Sequence, residues 1–325
     1  MTLDITRRAA LAGLAAVTAL PNVAMAETWP SRPVTGIVPF PAGGNADAVS
    51  RSVAAYLSRT LGQQFVIENR GGAGGNIGAS VVAHAKPDGY TILFGTPAPI
   101  AMNQLMYKSM PFDQKTAFVP VVLIAKSPLI VVANPKTPFN TIKEMAAYAK
   151  ANPGKLNVGH PGNGTLGHIT LILLAKQLDI KVTAVPYRGT SPLTVDVIGG
   201  QIDIAIDFMP TYVPQVKAGQ VKALAVTSAT RADNLPNVPT VQESGYPGFE
   251  AAAWYAIVAP AGTPAEAIDK INAGTNAFLA SEDGKKTLST FGLQAVGGPP
   301  AALKSFIDAE LAKWGPIIKE ANISF

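Results

Sequence analysis

The sequence predicts a two-lobed α/β protein, and three observations lead there. Short apolar runs alternate with helical stretches from about residue 34 to the C-terminal region, and strands that feed helices in this way build sheets covered by helices. Most of the runs are apolar at nearly every position, the mark of mainly parallel strands buried on both faces. The alternation also comes in two sets, with seams near 124–128 and 245–252. The chain therefore crosses twice between lobes, with 27–125 plus 248–325 in one lobe and 126–247 in the other. A double hinge of this kind leaves a cleft between them.

The elements follow in order. "VTGIVPF" (34–40) reads as a strand. Residues 47–62 read as a helix with Val49, Val53, Tyr56 and Leu57 on one face, closed by Gly62. "FVIENR" (65–70) is a strand, 76–86 a helix stopped by Pro87-Asp88-Gly89, and "YTILFGT" (90–96) a third strand. Residues 118–125 and 128–134 are two nearly continuous β runs. In the second set, Thr141 and Glu144 form a capping box. Strands are expected at 156–160, 181–187, 202–208 and 221–228, with an apolar helix at 166–178. A strand at 253–260 then returns to the first lobe. Thr263-Pro264-Ala265-Glu266 opens a helix, with a cap followed by proline at the first helical position.

The first 26 residues stand outside this pattern. Arg7-Arg8 precedes an apolar run of twelve, too short to span a membrane, and Ala24-Met25-Ala26 has the small-x-small form of a signal-peptidase site. Cleavage is expected after Ala26, giving an exported, periplasmic chain. Thr6 to Leu11 resembles a twin-arginine signal, with general secretory export as the alternative. There is no cysteine, hence no disulfide and no lipid-modified cysteine anchor. Net charge is +5, but the basic residues are dispersed. Nucleic-acid binding needs them clustered, so no nucleic-acid partner is expected.

No catalytic or metal constellation is legible. His84, His160 and His168 form no zinc pattern, no nucleophile elbow is complete, and "GHPGNGT" (159–165) lacks the P-loop lysine. No enzyme activity, metal or cofactor is expected. What recurs is a turn: "PFPAGGNAD", "NRGGAGGN", "HPGNGT" and "PYRGTSP" each lie between a strand and a helix and are rich in glycine and small polar residues. Open α/β sheets bind ligands at such strand ends. Helix N-termini carry unpaired N–H groups and a favourable dipole for an anion. Two of these turns fall in each lobe, which suits capture of a carboxylate by backbone amides, the Asn163 amide, the Thr165 hydroxyl and water.

Single residues keep two readings. Asp47 either caps its own helix or touches ligand. Asp207 either holds a ligand amino group or caps the next helix. His160 either donates to a second carboxylate or packs. His168, one turn into an apolar helix, reads as structural. Arg70 and Arg188 are cleft cations or surface ion-pair partners, and Tyr187 covers an apolar ligand body or joins the core.

"WPSRPV", "PFPAGGNADAVSR", "ENRGGAGGNIGA", "KPDGYTIL", "PGNGTLGH", "VPYRGTSP", "GGQIDIAIDF" and "WYAIVAPAGTP" together resemble the solute receptors of tripartite tricarboxylate transporters, the Bug family, over residues 29 to 325. The resemblance implies a periplasmic-binding-protein fold of the second topological type and a small organic acid as ligand, with one large and one small membrane subunit as partners. It also implies a monomer. Carried over residue by residue, it points to Phe40, Ala42, Gly43 and Asp47, to Gly75, Asn76 and Thr96, and to Asn163, Gly164, Thr165 and His168. Tyr187 and Asp207 would lie at the rim. Gly71, where the family commonly has proline, and His160-Pro161, where small residues are common, depart from the pattern. The sequence leaves two other functions open: a ligand-sensing subunit of a membrane signalling system, and an exported enzyme acting on an organic acid.

Overall fold

The computed structural model describes residues 28–320 and 323–324. The expected export signal and its cleavage point lie outside the described residues.

The first half winds as β1 (Val34–Val38), α1 (Asn45–Leu61), β2 (Phe65–Asn69), α2 (Asn76–Ala83) and β3 (Thr91–Gly95). Val49, Val53 and Leu57 repeat every four residues and are buried against the sheet, which is what an amphipathic helix on a sheet requires. Gly62 takes a left-handed φ of 73° and ends α1. β2 and β3 flank β1 and both run parallel to it.

β4 (Phe118–Ala133) is one strand of 16 residues rather than two separate runs. Lys126, Ser127 and Pro128 do not interrupt it, because they pair with Trp254, Ala253 and Ala252 of β9 (Ala252–Pro260). Proline has no N–H to give a ladder and is tolerated where pairing changes. β9 leaves β4 at Pro128, and from Leu129 onward β7 (Ile204–Phe208) and β8 (Lys222–Val226) take over. Thr227 stitches this point. Its backbone N–H donates to the Leu129 carbonyl at 3.0 Å, and its hydroxyl donates to the Ala251 carbonyl at 2.6 Å.

The second half contains α3 (Ile142–Ala151), β5 (Asn157–His160), α4 (Leu166–Leu178), β6 (Thr183–Pro186), α5 (Thr190–Gly199), β7, α6 (Met209–Lys217) and β8. Its strand order is β6-β5-β7-β4-β8, and that of the first half is β2-β1-β3-β9-β4. Each half thus places its second strand, first strand and third strand in that order, then a strand arriving from elsewhere, then its fourth. The βαβ ladders are parallel, while β4 and β9 run antiparallel to their neighbours. The two expected sheets are continuous through β4. α7 (Ala265–Ala280), α8 (Glu282–Thr290), β10 (Gln294–Ala295) and α9 (Pro300–Glu320) complete the chain.

One expected cap differs. α7 begins at Ala265, and Pro264 holds the extended conformation before it. The Thr263 hydroxyl donates back to the Pro260 carbonyl at 2.8 Å, so it closes the turn after β9 instead of capping the helix.

Alternation along the strands decides which face each site residue takes. Val158 of β5 and Ile204 and Ile206 of β7 pack with the α4 residues Ile169, Leu171 and Leu174. Ala205 packs on the other face with Leu193 and Val197 of α5 and Tyr212 of α6. His160 therefore falls on the α4 face, and Asp207 on the face covered by α5 and α6.

Candidate functional site

The turn between β1 and α1 is organised by Asp47, which is buried in the first turn of α1. One carboxylate oxygen accepts the Gly43 N–H at 3.0 Å. The other accepts the Asn69 amide at 2.9 Å and pairs with Arg51, also at 3.0 Å. Asn69, the last residue of β2, donates as well to the Phe40 carbonyl at 3.1 Å and accepts from Arg51 at 2.8 Å. Burial by itself would raise the Asp47 pKa. The Arg51, Gly43 and Asn69 donors and the Arg51 charge outweigh it and hold the value down at about 2. Asp47 is thus a tie between a glycine turn, a helix and the neighbouring strand.

The second turn of this half packs on the first. A side chain at Gly71 would lie 3.2 Å from Pro41, and one at Gly78 would meet the Arg70 carbonyl at 2.6 Å and Pro39 Cα at 2.9 Å. Both obstacles at Gly78 are backbone, so Gly78→Ala is expected to cost about 1–3 kcal/mol in urea unfolding. Gly44→Ala, with φ at −84° and no atom within 4 Å, is expected to change stability by a few tenths at most.

The other two turns form a similar pair. Tyr187 N–H donates to the His160 carbonyl at 2.9 Å, and Gly189 N–H to the Pro161 carbonyl at 3.0 Å. Thr165 caps α4, accepting from His168 N–H, and its hydroxyl donates to the Gly162 carbonyl at 2.6 Å. Gly164 N–H donates to His168 Nδ1 at 3.2 Å. The device repeats that of Gly43 and Asp47: a turn glycine donates to the side chain four residues on, inside the helix it introduces. The His160 and His168 rings stack, with centroids 4.3 Å apart and planes 19° apart. Burial, then the neighbouring His168 ring, push the His160 pKa down to about 4, against the pull of the Gly162 carbonyl. Burial lowers His168 as well.

These geometries correct several expectations. Gly43, Gly75 and Gly164 do not present spare N–H groups. Gly43 donates to Asp47, Gly75 to the Gly72 carbonyl at 2.9 Å, and Gly164 to His168. The buried Asn76 side chain accepts from Asn103 at 2.7 Å and lies against Met110. Its carboxamide thus braces the turn from beneath. The Tyr187 hydroxyl donates to Asp196 at 2.9 Å. Asp207 is not at a rim: its exposure is 0%. It does not cap α6 either. Phe208 N–H donates to Oδ1 at 2.7 Å, while Oδ2 is buried without a partner. Burial raises its pKa to about 6, opposed by the Thr190 side chain and the Phe208 N–H. Arg70, just past β2, pairs with Glu68 of that strand, and Arg188 is exposed.

Phe40 and Thr96 are half-buried and Ala42 and Asn163 are exposed. Thr96 opens an irregular turn held by Gln114, whose amide donates to the Ala98 and Pro99 carbonyls at 3.0 and 2.7 Å. Asn69, Asn103 and Gln114 escaped the sequence reading because each reaches a partner far along the chain. Among the described residues, no hydrogen bond or ion pair links the first pair of turns to the second. A cavity of about 340 Å³ lies away from all four turns, between Pro128, Met209, Asn234, Leu288 and Leu293. No helix among the described residues is long and apolar enough to cross a membrane, and no cluster of three or more metal-ligating side chains occurs among them.

Residues 49–323 match the family model of the tripartite tricarboxylate transporter family receptor. The chain belongs to this receptor family. Protein BugT of Bordetella pertussis is 34% identical over 98% of the chain and 99% of its own length. Among solved structures, the receptor is similar to R. palustris Rpa4515 with adipate, at 39% identity and a TM-score of 0.80, over 91% of this chain and all of that one. It is also similar to MatC (Rpa3494) from Rhodopseudomonas palustris with bound malate, at 33% identity and a TM-score of 0.75, over 89% and 100%. It also shares the fold of the periplasmic binding protein BugD, at 36% identity and a TM-score of 0.75, over 91% of this chain and all of that one.

Proposed function

We propose that this receptor closes on a small carboxylate in the periplasm and hands it to the large and small membrane subunits of a tripartite transporter. Export would remove residues 1–26. The lobes would be 27–125 with 248–325, and 126–247, hinged where β4 changes partners, and the receptor would work as a monomer by binding rather than catalysis. The observation that carries this reading is the likeness to two solved proteins, one with adipate and one with bound malate, both dicarboxylates.

The donors for the anion are the remaining groups of the turns. With Gly43, Gly75 and Gly164 engaged, these are the first amides of α1, from Gly44 to Ala46, the first amides of α4, and the exposed Asn163 side chain. Phe40, Ala42 and Thr96 shape the floor, and Asp47, Thr165 and His168 hold the turns that present the amides. Ligand favours the closed state because only there do both halves contact it.

Thermal unfolding with adipate, malate, monocarboxylic acids and the matching amides tests this. A true ligand stabilises the folded state by about 2.7 kcal/mol at a hundredfold excess over Kd. An acid is expected to raise the midpoint where its amide does not. Stabilisation by an amide and not by any acid would refute the carboxylate reading.

A further inference from the structure

Of the stacked histidines, His168 differs from every other group at the site in one respect: its hydrogen bond specifies where the proton of the neutral ring sits. Gly164 N–H can donate only to an unprotonated His168 Nδ1, so neutral His168 carries its proton on Nε2. His160 Nδ1 lies 3.0 Å from the Gly162 carbonyl and 3.4 Å from the Gly162 N–H, so its contacts suit a proton on either ring nitrogen. The two rings are in face-to-face contact. A second positive charge in the stack is excluded by proximity. A single proton is different. On His168 it converts Nδ1 from acceptor to donor and removes the acceptor of Gly164 N–H.

We propose that the stack couples carboxylate capture to the uptake of one proton, with His168 as the latch. In its neutral form His168 holds the Gly164 N–H; in its protonated form it releases that N–H towards the anion. The coupling rests on the carboxylate-receptor reading, since an anion beside the turn is what favours the imidazolium. Anion, proton and freed amide then arrive together, and each strengthens the binding of the others. Binding tightens as pH falls, by at most about tenfold per pH unit for one linked proton.

The surroundings allow this. The charge that acts on His160 is that of His168. Asp207, Tyr212, Tyr187 and Asp196 form their own cluster on the opposite face of the sheet, under α5 and α6. Arg188, on the neighbouring turn, is exposed. The next charged residue on α4 is Lys176, at its far end, paired with Glu320 of α9. Proline follows His160, and Thr165, Leu166 and Gly167 precede His168, so neither ring has a charged neighbour in its own turn.

Two measurements decide the matter. In the ligand-free protein, imidazole and amide nitrogen NMR from pH 7.5 to 4.5 is expected to show the Gly164 amide moving in step with protonation of His168 Nδ1. A Gly164 amide indifferent to that protonation overturns the latch, whether or not any acid binds. In calorimetry at pH 6, adipate binding in buffers of different ionisation enthalpy is expected to show uptake of about one proton. The uptake should vanish in His168→Gln, whose side-chain carbonyl accepts the amide at every pH, and persist in Asp207→Asn. Adipate binding without proton uptake, or uptake that survives in His168→Gln, overturns the coupling. Failure of every acid to bind would instead refute the receptor reading and leave the ligand-free titration to judge the latch.

Discussion

Asp47→Ala is expected to lower stability by about 2–4 kcal/mol and to weaken carboxylate binding about tenfold or more. The substitution strips the Gly43 N–H, the Asn69 amide and the Arg51 guanidinium of a shared acceptor. Arg51 is half exposed and recovers water, which keeps the cost below that of a fully buried pair. Asn69 then loses the partner that positions it on the Phe40 carbonyl, so the turn carrying the α1 amides loosens as a unit. The pH dependence has a definite sign. The folded-state pKa of about 2 lies below the ordinary 3.8, so the carboxylate's contribution is complete above about pH 4 and is lost as pH falls towards 2. Urea unfolding of the two proteins at pH 7 and pH 3 should therefore show a penalty that shrinks in acid. A penalty of equal size at both pH values would show that packing, not charge, is what Asp47 supplies.

Asp207→Asn is expected to act in the opposite direction and stabilise the protein by about 1–2 kcal/mol at pH 7.5. A carboxyl whose pKa rises from 3.8 to about 6 on folding costs about 3 kcal/mol once it is ionised in both states. Asparagine removes that cost and keeps the oxygen that accepts Phe208 N–H. It introduces an amide donor where Oδ2 had no partner, which returns about 1–2 kcal/mol. The carboxyl's raised pKa means that its protonated form supports the fold below about 4, and that this support disappears as pH rises through about 6. The advantage of the asparagine variant should accordingly fade on going from pH 7.5 to pH 4. A variant less stable than the parent at pH 7.5 would mean that the Thr190 side chain compensates the buried carboxylate. His160 works against Asp207 in this range. Its pKa is lowered to about 4, so the fold loses stability as pH falls from 6.5 towards 4. Between pH 6.5 and 4 the parent protein's profile is therefore flatter than that of Asp207→Asn.

Much of the architecture was legible in the sequence. The helix at 166–178 is found at the expected residues, α1 ends at Gly62 as expected, and the strands agree to within a few residues at their ends. These signals are local: an apolar period, a cap, a glycine able to take a left-handed φ. The motifs also pointed to the family that the full-length comparison then gave. In the sheet, the reading differed where the deciding partner lay elsewhere in the chain. Two β runs became one strand because β9 pairs across the Lys126-Ser127-Pro128 break.

The site divides along the same line. That four glycine-rich turns stand at strand ends before helices follows from residue order alone, because strand, turn and helix preferences are written in neighbouring residues. Which amides those turns leave free does not. Gly43 donates to a carboxylate that Asn69 holds in place from 22 positions away, and Asn76 is taken up by Asn103 at a separation of 27. Asp207 is buried because two helices pack over its face of the sheet. The His160 ring meets His168 because β5 and α4 fold back on each other. The sequence by itself determined the elements, their order and the residue types available to the site. The tertiary structure alone decided which hydrogen-bond donors are already engaged and which charges are buried, because engagement and burial depend on groups brought together by folding.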